Sequence, residues 1–478
     1  MQKYILFKNL MKKQKLNLTE DSISYLAIKM AVPVSVGFFF HTMFNVVDTY
    51  FASKISSIAV AAITISFPMY MMIITISRGT REGATALIAN AEGSGNKPLA
   101  KKYLLQTISF SVIASIVIMI IGLLSIPYLF KLLSAEGEYF NFAVQYMNII
   151  FWGCTFIILD STPTAGLNAV GDTKTYANVF IIGFFVNLVL DPLLIYGFGP
   201  IPPMGIKGIA YATIIAEFIA TIYVFYRLKK ITNYFDDISY KDFIPKFIYQ
   251  KDIIKQAFPA SLNTLFLASG FFIITFFASF FPTQATSSSS VAAYGIALRI
   301  EQIILLPAIG LHFACLSLTG QNFGANNFDR IKESYFICIK YGLIMMILGG
   351  LFIFFGSTYL MKIFTEDTNV IEIGSNYLKI AALFIPSFTT LQISISLMQG
   401  LKKPIYTTII TFFKEVLGAS ILFWFLCFYL NFSLQGLWFG ILLINYISLI
   451  IFLFVLNVQM KKLGIDLFKF KRQVEKNS

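Results

Sequence analysis

The chain has 478 residues, 57% of them hydrophobic and 13% charged, with a mean hydropathy of +0.74. A soluble domain is about half apolar and a quarter charged, so this composition excludes a soluble enzyme or binding module and indicates a polytopic membrane protein. The net charge of +13 does not point to nucleic acid, because most basic residues sit in short segments between apolar blocks.

About 20 helical residues cross the hydrocarbon core, and twelve blocks are long enough. In chain order they are 29–53, 56–78, 103–133, 142–169, 175–198, 205–228, 253–281, 291–317, 334–364, 376–399, 404–430 and 435–460. None alternates over about 10 residues as a β-barrel strand does, so an all-α integral membrane protein is expected. The basic N-terminus, "MQKYILFKNLMKKQKLNLTE", precedes a full-length span rather than the short apolar region of a cleavable signal. The four cysteines (154, 315, 338, 427) all fall inside spans, which suits neither a disulfide framework nor a zinc site.

With both termini in the cytoplasm, the inner segments are 1–24, 94–102, 170–174, 227–255, 320–333, 400–404 and 461–478. They hold 26 of the 37 lysines and arginines. The outer loops hold four, Lys54, Lys131, Lys207 and Lys362, and the other seven lie in or beside spans. This positive-inside bias sets the orientation, and the expected location is the inner (cytoplasmic) membrane of a cell. The tail "KKLGIDLFKFKRQ" suits contact with anionic lipid.

The sequence repeats. "KMAVPVSVGFFFHTMFNVVDTYFAS" from Lys29 aligns with "KQAFPASLNTLFLASGFFIITFFAS" from Lys255 without a gap. "GDTKTYANV" matches "GLKKPIYTTI", and "NLVLDPLLIYG" roughly matches "KEVLGASILFW". Two six-helix bundles follow, 1–228 and 253–478, joined by a cytoplasmic linker at 229–252. Six spans per half give both halves the same orientation, so a pseudo-two-fold axis along the membrane normal relates them. Such repeats commonly enclose a substrate path, along which transport works by rocking one half against the other.

Ionisable groups at mid-membrane cost roughly 2.5–3.5 kcal/mol on insertion scales and are functional candidates. Asp48 is the single charge between Ala31 and Ser53. Asp191 lies in "NLVLDPLLIYG", with Asn187 four residues earlier on the same helix face. Pro192 has no backbone donor, which leaves a carbonyl one turn back under-used. Six residues separate Asp48 from Lys54, and six separate Asp191 from Gly197, placing both about 9 Å below the outer boundary. Thr213, eight residues into the sixth span, sits at about 12 Å. Oxygen ligands in one layer suit a hard cation such as Na⁺, and two close carboxylates equally suit a shared proton.

Several motifs, "NVVDTYF" after an "AxP" start, "GDTK", "NLVLDPLLIYG", "GIAYAT" and "VAAYGIALRIEQIILLPAIG…GQNFGANN", together resemble the multidrug and toxic compound extrusion (MATE) family, from about Ala27 to Leu456. The resemblance implies a MATE-like fold and a cation-coupling site at Asp48, Asn187, Asp191 and Thr213. It implies a secondary active antiporter that exports organic cations or other amphipathic drugs in exchange for H⁺ or Na⁺, without a further cofactor or metal and as a monomer. Some relatives carry acidic residues on spans 7 and 10. Here "PASLNTLFLASGFFIITFF" and "AALFIPSFTTLQISISLMQG" have none, and "SRGTREGATALIANAEG" in span 2 is unusually charged.

Three further residues are candidates for substrate contact. Glu301 could attract cationic drugs or pair with Arg299 or a lysine. His41, seven residues before Asp48, could face the same cavity, although a core role is the favoured one. Met69, with Met71 and Met72 in "FPMYMMII", could supply an adaptable surface, with ordinary packing favoured for any one of the three. Arg78, Arg81 and Glu82 could form an inner-gate ion pair, but snorkelling to the inner interface is the expectation. Structural pairs are expected for Asp160, Glu217 and Glu415, the last with Lys414, and a core role for His312. A lipid-linked saccharide flippase of the same superfamily is the alternative function, and a cationic cavity would favour it. No "HExxH", "GxSxG" or "GxxxxGK[ST]" occurs, so neither an enzyme nor an ATP motor is indicated.

Overall fold

The computed structural model describes residues 16–133, 135–281 and 289–467. Most of the N-terminal basic segment and the tail beyond residue 467 lie outside them. Twelve helices are long and apolar enough to cross a membrane: α1 Ile23–Ile55, α2 Ser57–Gly93, α3 Lys97–Leu132, α4 Gly137–Ala169, α5 Lys174–Tyr196, α6 Ile206–Ile231, α7 Phe247–Ser279, α8 Ser289–Gly324, α9 Phe328–Lys362, α10 Thr368–Gly400, α11 Pro404–Tyr429 and α12 Ser433–Lys461. The all-helical, twelve-span architecture is the one expected.

Several helices outrun their apolar blocks. Helix α2 continues fifteen residues past Arg78 to Gly93, and every residue from Gly79 to Ala91 is buried. Helix α4 is interrupted at Asp160, between Gly137–Leu159 and Ser161–Ala169. Pro163 explains the break, since it has no N–H for the Leu159 carbonyl and its ring crowds that turn. Helix α11 contains two π-helical stretches, Phe413–Leu417 and Phe425–Tyr429.

The neighbour pattern repeats between halves. In α1–α6, α2 packs on α4, α3 on α4, and α1 on α5; in α7–α12, α8 packs on α10, α9 on α10, and α7 on α11. The halves meet through the equivalent pairs α1–α8 and α2–α7. Those contacts lie toward the side carrying the start of α1 and the end of α12, here called the basic side. A Cβ on Gly83 would lie 2.7 Å from the Ala257 amide nitrogen, and one on Gly310 would lie 2.3 Å from the Ala31 carbonyl oxygen. Only glycine permits backbones so close. Cross-half hydrogen bonds cluster there too: Asn90 Nδ2 to the Gly400 carbonyl at 3.0 Å and Arg330 Nη2 to the Asp21 carbonyl at 2.7 Å. Toward the opposite side the halves diverge around a cavity.

Candidate functional site

Three packed helices of the N-terminal half bring Asp48, Asn187, Asp191 and Thr213 together. Helix α5 packs against both α1 and α6. Gly208 allows the tight α5–α6 approach, since a Cβ there would lie 2.7 Å from the Leu194 carbonyl carbon. All four side chains are buried: Asp48 is 6% exposed, Thr213 2%, and Asn187 and Asp191 0%. Asn187 Nδ2 donates to Asp191 Oδ1 at 3.3 Å, and Asp48 neighbours both of these side chains. Thr213 Oγ1 lies 3.4 Å from Asp48 Oδ2 but 3.0 Å from its own Ile209 carbonyl. A hydroxyl has one proton, and the shorter bond takes most of it.

Three oxygens of this layer, Asp48 Oδ1, Asn187 Oδ1 and Asp191 Oδ2, have no hydrogen-bond partner. None of the ion pairs among the described residues involves Asp48 or Asp191. Two carboxylates, an amide oxygen and a hydroxyl, short of donors and of positive charge, make a hard-cation or proton acceptor. Tyr70 and Tyr146 also lie beside these carboxylates, and the sequence reading missed both. Their spacing carries no signal, because they come from α2 and α4.

A cavity of about 400 Å³ lies between the halves, lined by residues of both. His41 lines it rather than taking the core role favoured from the sequence, with its ring edge-on to Phe180 at 4.9 Å; Asp48 does not line this cavity. Met69 does not; it is 3% exposed and packed in the apolar core with α4 residues, and Met71 takes the cavity face instead. Glu301 is likewise absent from this lining. It sits in a side pocket of about 60 Å³ with Lys414 and Glu415, accepting a 2.6 Å hydrogen bond from Tyr377 Oη. It pairs with neither Arg299 nor a lysine among the described residues. Lys414 and Glu415 pair with each other, as anticipated.

The charged turn of α2 corrects the snorkelling expectation. Arg81 is 6% exposed and Glu82 9%, and both line the cavity with Arg78. Helices α7, α8 and α10 cover this turn, so the long side chains have no route to an interface. His312 is not a plain core residue either. Its Nδ1 lies 3.1 Å from the Gln392 carbonyl and must donate there, which leaves Nε2 facing Glu82 at 3.8 Å. Glu82 also accepts from Gln399 Nε2 at 2.9 Å. Asp160 and Glu217 line the cavity without an ion-pair partner among the described residues.

A duplicated twelve-helix membrane protein with a central cavity and a separate buried acidic layer has the build of a secondary transporter. The MatE family model matches residues 33–193 and again 259–424, one match in each half. The chain therefore belongs to the MATE family and is a transporter rather than an enzyme. It is 27% identical to the FAD transporter of Shewanella oneidensis over 376 residues, covering 77% of this chain and 80% of that one. It is also 27% identical to the probable multidrug resistance protein YoeA of Bacillus subtilis, covering 80% and 82% of the two chains. An outward-facing structure of a multidrug resistance MATE family transporter superposes with a TM-score of 0.86 at 24% identity, covering 95% of this chain and 99% of that one.

Proposed function

We propose that the protein is an antiporter that exports amphipathic drug-like compounds, with Asp48, Asn187, Asp191 and Thr213 exchanging the coupling H⁺ or Na⁺. The observation that carries this reading is the set of unpartnered oxygens in a buried layer holding two carboxylates. Two like charges in a low-dielectric site are expensive, and an arriving cation removes that cost. With the basic side in the cytoplasm, the closed helix ends face the cell and the cavity faces out. The acidic layer belongs to α1, α5 and α6, and α1 also forms the closing contact with α8. Neutralising the layer therefore alters packing on a helix that both bounds the cavity and seals it.

A ligand drives such a change only through different affinities for the two states. The ion favours the state in which the layer is compact, and the substrate favours the state in which the cavity is formed. Relatives are named both for multidrug resistance and for FAD transport, so the cargo is not fixed by family and must follow from the cavity wall. Reconstituted vesicles test the reading, with a pH gradient and a Na⁺ gradient imposed in turn. One gradient should drive export by the parent protein, and transport indifferent to both would overturn the antiport.

A further inference from the structure

The acidic layer leaves one feature of the cavity unexplained. Arg81 is 6% exposed and lines the cavity floor, yet its Nε and Nη2 have no hydrogen-bond partner. Buried donors without acceptors lose their hydration uncompensated, so such an arrangement persists where something else supplies the acceptors. The group is held firmly. Its Nη1 donates to Tyr176 Oη at 3.1 Å, and its guanidinium carbon stands 5.0 Å from the centroids of both the Tyr176 and Phe313 rings. Arg78 stands 5.4 Å from the Phe38 ring beside it.

The carboxylates around this floor do not complete it. Glu82 is engaged by Gln399 and faces His312. Asp160 accepts from Thr164 at 3.3 Å, keeps its other oxygen unpartnered, and forms no ion pair with Arg81. Glu217 lies beside Asp160 and Tyr70, and Lys414 on the other wall is closed onto Glu415. Two guanidinium groups thus share a floor of aromatic rings, one of them with an unpartnered edge of donors.

We propose that this floor binds the anionic group, phosphate or carboxylate, of an amphipathic aromatic substrate. The unpartnered edge of Arg81, Nε and Nη2, has donors in the planar geometry that such oxyanions take up. Arg78 adds a second positive charge, and Phe38, Phe180 and His41 supply apolar wall for the ring system. The inference rests on the transport reading above and adds the charge class of its cargo. At this end of the cavity it replaces the organic cation expected from the sequence.

The test is equilibrium binding to purified protein without any gradient, so its result does not depend on ion coupling. Three probes share one ring: naphthyl phosphate, naphthalenemethanol and naphthylmethyltrimethylammonium. The phosphate should bind about tenfold or more tightly than the alcohol, as charge-assisted hydrogen bonds allow, and the ammonium most weakly. Arg81→Gln should bring the phosphate down to the alcohol, and Arg78→Gln should do so in part. Equal binding of phosphate and alcohol by the parent protein overturns the proposal and needs no variant. So does a preference that survives Arg81→Gln.

Two controls separate the rivals. Dodecyl phosphate carries the same anion on a flexible chain. Failure to displace naphthyl phosphate supports an aromatic solute, and displacement at equal concentration points to a lipid headgroup and overturns the assignment. Asp160→Asn removes a carboxylate in the field of Arg81 and should strengthen phosphate binding already present in the parent. If only that variant bound phosphate, Arg81 would belong to Asp160 and the proposal would fall.

Discussion

On α5, Asn187 and Asp191 stand one turn apart in a regular helix, and Asp191 keeps an oxygen without a partner. The aligned turn of α11 is π-helical, Phe413–Leu417, and there Lys414 closes on Glu415. The wider π turn places two adjacent residues where each can reach the other, and such turns often mark functional positions. In the sequence alignment Asn187 meets Lys414 and Asp191 meets Gly418. One scaffold, used twice, therefore treats buried charge in opposite ways. At these aligned turns the N-terminal half leaves its carboxylate without an ion-pair partner among the described residues, and the C-terminal half supplies Lys414 to Glu415.

That contrast can be broken at several points. The largest effect is expected from Asp191→Asn, which keeps the side chain's size and removes a charge. Gradient-driven export should fall about 100-fold, near the top of the usual range for coupling between sites, with substrate binding retained. Unimpaired export by this variant would remove the distinction between the halves. Lys414→Met should act on stability instead. It strands Glu415 in a buried site, at a cost of about 3–5 kcal/mol, read as a lower unfolding temperature of the purified protein. The double variant with Glu415→Gln should recover most of that loss.

Neutral ligands of the layer sharpen the comparison at smaller scale. Asn187→Ala should weaken coupling roughly threefold to tenfold, measured as export per unit gradient. Thr213→Ala should do less, because the Thr213 proton is largely engaged by the Ile209 carbonyl. The smallest effect is expected from Glu301→Gln. The amide oxygen can still accept from Tyr377, so gradient-driven export should persist. A loss as large as that of Asp191→Asn would move the coupling site into the C-terminal half.

Much of this was legible in the sequence, for reasons that differ by residue. Hydropathy reports contact with hydrocarbon directly, so all twelve spans appear in it. It does not report helix length, so the apolar block ends at residue 78; Gly79–Ala91 of α2 is polar enough to leave the membrane yet is buried, with α7, α8 and α10 packed on the helix. Asp48 and Asp191 stood out as carboxylates in apolar helices, and counting residues from the helix ends put them at one depth. Arg81 misled because an arginine near a span end normally reaches water. Nothing local in the sequence indicates that three other helices close over it. Met69 and Met71 are two residues apart, so they face nearly opposite sides of α2, and of the two Met71 lines the cavity. The Tyr377–Glu301 bond joins α8 to α10, a tertiary contact that no spacing encodes.

The central claim is that the acidic layer of α1, α5 and α6 converts an ion gradient into export. Asp48→Asn tests it most directly, because one oxygen becomes an amide and the helix keeps its shape. The variant, reconstituted at the parent's density, is given first a pH gradient and then a Na⁺ gradient, with ion uptake and naphthyl phosphate movement recorded together. It should bind the substrate as the parent does, take up neither ion in exchange, and lose gradient-driven export to the same extent as Asp191→Asn. Export by Asp48→Asn as fast as by the parent protein would contradict the claim.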